Sequence, residues 1–194
     1  MPLYRISALA AGLLVASVLI AWGVEFRQSG RERDDAASQD RGSRRLLGLS
    51  RLVGMIGAVV AVYAVPAADI HHQRGLVFGI GMLVLWSGAA VRWWAFRTLG
   101  RYFTFSVMTD GDQPVITSGP YRFVRHPGYA GAMLVRAGFG LALGNWLSLA
   151  LAVVVPLIGV IYRIHVEEAA LVDALGDHYR SFAAERKRLI PFLW

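Results

Sequence analysis

The chain of 194 residues contains no cysteine. That excludes a disulfide framework, a thiolate nucleophile and any cysteine-based metal site. Charge is scarce: 17% of residues are Asp, Glu, Lys or Arg, against about 25% in a soluble domain. Dense metal-ligand spacing is lacking as well. No HExxH occurs, and His71-His72 has only Asp69 beside it, so no metal site is expected. No glycine-rich turn follows a strand and no convincing strand is present, which argues against a Rossmann nucleotide site.

Apolar sequence is what the chain has in excess. It makes up 56% of the residues, with mean hydropathy +0.47, and a soluble domain averages roughly 45–50%. Several runs approach the ~18–20 residues needed to cross a bilayer. They are Ile6 to Val24, Leu46 to Ala68, Gly75 to Phe96, the shorter Gly128 to Leu143, and Trp146 to about Ile161. Arg5 before the first run and Ala21-Trp22-Gly23 near its end faintly resemble a signal peptide. The run's length and the spans that follow favour a retained helix. Gly144-Asn145 is a tight turn signal, so the last two runs read as a helical hairpin. Trp93 and Trp94 close the third run, where aromatics favour the headgroup level.

Arginine sets the orientation. Segment 25–45, segment 97–127 and the tail after Arg163 are rich in it, whereas the opposite side carries only Arg5 and Arg74. By the positive-inside rule the three rich segments face the cytoplasm. The net charge of +7 is then a matter of topology and anionic lipid rather than nucleic acid. Segment 27–45 is polar and mixed in sign and reads as a mobile loop. Past Glu168, Leu171, Leu175, Tyr179 and Phe182 form one apolar stripe, the mark of a helix lying on the membrane or on its own domain. The expectation is an all-α integral membrane protein of one domain, 1–194, with about five transmembrane helices and a cytoplasmic C-terminal helix. It would lie in an inner or plasma membrane.

Two polar segments stand at the ends of apolar runs: Ser118 to Tyr129, and Arg163-Ile164-His165-Val166-Glu167-Glu168. Charge at a membrane boundary is costly unless paired, solvated or bound. Arg163 and Glu167 share one helix face. They form either an ordinary surface ion pair or a site in which arginine holds a carboxylate two-pronged. Pro127 biases His126 away from helical angles and suits the first turn of a helix. The histidine therefore sits at a loop-to-helix junction, as a cap or as a ligand. His165 points off the Arg163–Glu167 face. Arg92 and Arg136 lie within spans, where each snorkels, pairs or lines an access path.

From about Trp93 onward the chain resembles the isoprenylcysteine carboxyl methyltransferase family. The resemblance is carried by Thr117-Ser118-Gly119-Pro120-Tyr121, Arg125-His126-Pro127-Gly128-Tyr129, Arg163 with Glu167-Glu168, and Gly176-Asp177-His178-Tyr179. It implies residues 1–92 as N-terminal spans and 93–194 as the catalytic half. The implied activity is transfer of a methyl group from S-adenosylmethionine to the carboxylate of a lipid-like or isoprenylcysteine-type acceptor. The site would face the cytoplasm. By position, the cofactor would meet Gln113, Pro114, Val115, Ile116, Tyr121, His126, Pro127, Gly128, Tyr129 and Glu167, while Arg163 would orient the acceptor carboxylate. Gln113 stands where the family often has a histidine, and His165 and Val166 where it has acids. Both departures bear on the acceptor. The reaction needs no general base, because a carboxylate is ionised at neutral pH. Aromatic faces such as Tyr121 and Tyr129 tolerate a sulfonium charge. Competing readings are N-methylation of a phospholipid amine, an NADPH-dependent reductase of related helical fold but more spans, and a non-enzymatic scaffold. Membrane lipids and a lipophilic acceptor are the expected partners.

Overall fold

The computed structural model describes residues 7–29, 41–100 and 115–194. Among the described residues five helices follow in order: α1 (Ala8–Ser29), α2 (Ser43–Ala64), α3 (Arg74–Leu99), α4 (Pro127–Ala142) and α5 (Trp146–Glu185). Short 3₁₀ turns sit at Pro66–Ala68 and Gly119–Arg122. Among the described residues the extended backbone pairs only at two isolated bridges, Asp69 with Asn145 and Val124 with Lys187. By length and composition, α2, α3 and α5 can each cross a membrane, and α1 carries a shorter apolar stretch, Ala8–Ala21. The 40 residues of α5 are interrupted at Gly176, and the stretch before the break, from Trp146 to Leu175, alone is about 45 Å long, well over the ~30 Å hydrocarbon layer. Its second half therefore projects beyond the lipid.

The helices pack in two tight couples, α3 with α4 and α2 with α5, joined where α4 meets α5, while α1 lies more loosely on α3 and α4. Small residues make the couples tight, as expected in lipid. A Cβ on Gly88 of α3 would stand 2.6 Å from the Gly131 carbonyl and the Val135 amide of α4. A Cβ on Gly54 of α2 would stand 2.7 Å from the Pro156 ring of α5, so the glycine makes room for a proline inside the helix. The core between the couples includes Ala58, Val62, Leu85, Val135 and Ala152.

The end away from the site is closed by the α4–α5 turn. Gly144 adopts φ 65°. Asn145, fully buried, caps α5 by accepting from the Ser148 amide and donates to the Val65 carbonyl and the Asp69 carboxylate, all at 3.0 Å. The Ile70 amide donates to the Gly144 carbonyl at 2.8 Å.

The segment read as a loop over 27–45 is shorter than expected. α1 continues to Ser29, and Ser43, Arg44 and Arg45 already belong to α2, which starts after Gly42 at φ 72°. Arginine is a good helix former, so polarity there did not mean loop. Residues 30–40 lie outside the described residues. The tail stripe is helical, with Tyr179 and Phe182 buried. It is the continuation of α5, broken at Gly176, where φ 54° and ψ −129° leave the helical region.

Candidate active site

The site lies where α5 leaves the apolar layer and α4 begins. His126 precedes Pro127 with φ −124° and ψ 60°, outside helical values, and Pro127 takes the first helical position. Arg92 of α3 holds this junction. Its guanidinium donates to the Gly128 carbonyl at 2.9 Å and lies 4.6 Å over the Phe96 ring. A span-embedded arginine with no evident role in the sequence is thus a brace for the start of α4.

At the centre is Tyr129. Its hydroxyl donates to Glu167 Oε2 at 2.8 Å and accepts from Arg163 Nε at 3.2 Å. Arg163 and Glu167 themselves are 3.9 Å apart, so the phenol stands between the two residues that helical spacing placed on one face. Arg163 is 2% exposed, and its other arm donates to Ser43 Oγ at 2.7 Å. Such a buried, multiply bonded guanidinium is no surface ion pair. The Glu167 side chain stays 30% exposed and forms the accessible edge. Tyr121, in the 3₁₀ turn, is buried nearby. Burial first, and the Glu167 charge second, push its phenol well above the ordinary value, so it remains a neutral donor. His165 is exposed and bonds the Ile161 carbonyl at 2.7 Å, away from the cluster.

Glu168 organises a second cluster. It accepts from Arg125 Nη1 at 2.9 Å, His126 Nε2 at 3.1 Å, and Arg188 Nε and Nη2 at 2.9 Å each. Burial acts to raise its pKa, but the hydrogen bonds of His126 and Arg188 and the charges of His126 and Arg125 outweigh it and hold the carboxyl below its usual range. The backbone reinforces these ties. The Arg125 and His126 amides donate to the Lys187 and Arg188 carbonyls at 2.8 and 2.9 Å. Residues 187–188 thus strap the junction in place.

Of the residues expected at the site, Tyr121, His126, Pro127, Gly128, Tyr129, Arg163 and Glu167 converge here. Val115 and Ile116 are half-buried on the stretch leading to the 3₁₀ turn. Gln113 and Pro114 lie outside the described residues. His126 Nε2 bonds Glu168, and its ring lies 5.8 Å from that of Tyr129. Sequence reading missed Ser43 and Arg188, and held Arg125 only as part of the Arg125–Tyr129 motif, without its Glu168 partner. The only available signal for them was the need of a buried arginine and a buried glutamate for partners.

Fold and site together define a helical membrane protein with a neutral phenol set between a buried guanidinium and an accessible carboxylate. A model of the isoprenylcysteine carboxyl methyltransferase family matches residues 80–173. Protein-S-isoprenylcysteine O-methyltransferase B of Arabidopsis thaliana is 30% identical over 147 residues, covering 75% of this chain and 73% of the relative. A probable protein-S-isoprenylcysteine O-methyltransferase of Oryza sativa subsp. indica is 31% identical over 116 residues, covering 59% and 61%. A solved eukaryotic intramembrane Ras methyltransferase, an isoprenylcysteine carboxyl methyltransferase, superposes with TM-score 0.62 at 25% identity over 75% of this chain and 52% of its own. The chain belongs to the isoprenylcysteine carboxyl methyltransferase family. It spans about three fifths of the rice relative's length and about half of the solved chain's.

Proposed function

We propose that this protein is a membrane methyltransferase that moves a methyl group from S-adenosylmethionine to the carboxylate of a lipid-like or isoprenylcysteine-type acceptor. The observation that carries the reading is the Arg163–Tyr129–Glu167 relay. The donor set suits the cofactor: a half-exposed carboxylate for hydroxyl or ammonium groups, and aromatic faces at Tyr121 and Tyr129 for a cation. Bound there, S-adenosylmethionine would supply an electrophilic methyl group. Glu167, Tyr121 and the His126–Tyr129 junction would hold it. Arg163 is fixed through Ser43 and Tyr129 and is pre-organised to orient an acceptor carboxylate without reorganisation. The burial around it keeps water off that carboxylate. An arginine facing the acceptor favours an acid over an amine, and so favours this reading over phospholipid N-methylation. Five spans, with the site on the cytoplasmic face, accommodate the arginine distribution.

The test is transfer of a labelled methyl group in proteoliposomes, with S-prenylated N-acetylcysteine and its amide as paired acceptors. Calorimetry of S-adenosylmethionine binding runs alongside for the wild type and Glu167→Ala. Base-labile label on the acid only, with binding lost in the variant, is the expected result. Base-stable label on an aminolipid would move the reading to N-methylation, and absent binding by folded protein would end it.

A further inference from the structure

The structure ends in an apolar tip that the site does not use. Leu189 is buried with Leu47 of α2 and with Val160 and Ile164 of α5, and Trp194 packs on the same cluster. Between them the chain doubles back. The Leu189 and Ile190 amides donate to the Trp194 carbonyl, and the Leu193 and Trp194 amides to that of Ile190. Phe192 takes φ 68° at the tip, a costly left-handed conformation for a bulky residue. The turn drives Ile190, Phe192 and Leu193 outward, at 52%, 96% and 74% exposure. In water this would combine backbone strain with three bare apolar side chains.

Neighbouring residues fix the depth of the turn. Lys187 bridges Val124, which follows the 3₁₀ turn. Gly119 of that turn lies against Thr98 and Trp94 at the end of α3. Trp93 and Trp94 are 52% and 41% exposed, the mark of a headgroup-level aromatic belt. Leu47 and Val160, which receive Leu189, stand near the ends of their apolar runs at that same side. Charge complementarity identifies what covers the tip. Lys187, which leads into the tip, is exposed, as is Arg122, two residues before Val124, the bridge partner of Lys187, and the Arg122 guanidinium lies 4.5 Å over the half-exposed Phe123 ring. Aromatic and aliphatic side chains next to cations suit the boundary between acyl chains and anionic headgroups.

We propose that residues 190–193, with Phe123, are an interfacial anchor seated in an anionic leaflet of the protein's own bilayer. The anchor adjoins the strap that the Lys187 and Arg188 carbonyls make with Arg125 and His126, so lipid contact holds the junction from outside. The inference does not depend on the reaction assigned above. Because the chain lacks cysteine, single labels are clean. Phe192→Cys, Leu193→Cys and, as a control, Asp177→Cys carry nitroxides in liposomes of phosphatidylcholine with and without phosphatidylglycerol. None of the three side chains is in the core, so folding is preserved. Relaxation by oxygen should exceed that by a water-soluble nickel chelate at 192 and 193, more so with the anionic lipid, and the order should reverse at 177. Nickel access at 192 and 193 equal to that at 177 would overturn the anchor. So would strong dipolar broadening between labels, which would assign the tip to a second copy of the chain.

Discussion

At the residue scale the decisive group is one hydroxyl. Tyr129 accepts from Arg163 and donates to Glu167, so it sets the position of both charges. Its replacement by Phe leaves the ring packing and removes only those two bonds. Arg163 and Glu167, 3.9 Å apart, would then pair directly and draw the guanidinium off its line. Tyr129→Phe is expected to lower kcat/KM by roughly 10–100-fold, about 1.4–2.7 kcal/mol of transition-state stabilisation. The melting temperature should change little, and methyl transfer under single-turnover conditions checks the effect. The sequence already held Arg163, Glu167 and Tyr129 as candidates, because helical spacing and a proline-marked helix start are local signals. It did not hold the phenol's place between the charges. Nor did it offer Ser43, a polar residue 120 positions away from Arg163, since no periodicity links distant partners.

At the element scale, helix pairing positions the site. The α4–α5 hairpin was legible from Gly144-Asn145, and the start of α4 from Pro127, because both are backbone constraints carried by single residues. The glycines of α3 and α4 suit close helix packing in lipid but do not say which helix meets which. The partner of each glycine depends on the register of two helices in space. Gly88→Ala tests that register. Its methyl group would meet Gly131 and Val135 backbone atoms at 2.6 Å, which cannot rotate away. Overpacking of this kind costs about 1–3 kcal/mol. The variant should melt measurably lower in detergent and also bind S-adenosylmethionine more weakly, because α3 carries Arg92, the brace of the α4 start. An unchanged melting temperature would mean that the helices separate without penalty.

At the scale of the whole molecule, Glu168 ties α5 to the junction before α4 and to the strap at 187–188. Its charged form is favoured in the folded protein. The resulting stability is fully present above the ordinary carboxylate value of 4.5 and is lost as pH falls through the lower folded value. Thermal stability is therefore expected to hold down to about pH 5 and drop below it, and Glu168→Gln should flatten that acid slope in a melting series. The membrane class and the arginine asymmetry were legible from composition, whereas this long-range tie was not, because Arg188 sits in a tail with no motif. The far end of the bundle is fastened differently. Asn145, Val65 and Asp69 pin the start of α5 to the end of α2, and the Glu168 and Tyr129 contacts make a clasp between α5 and the start of α4. From Asn145 to Arg163 the distance along α5 is about 27 Å at 1.5 Å per residue, so a tilt of ~5° there would shift the clasped end by about 2 Å. Loosening the clasp alone would part α4 from α5 at the site, the side on which an acceptor of the kind proposed above would enter, and leave the bonds of the pinned end in place.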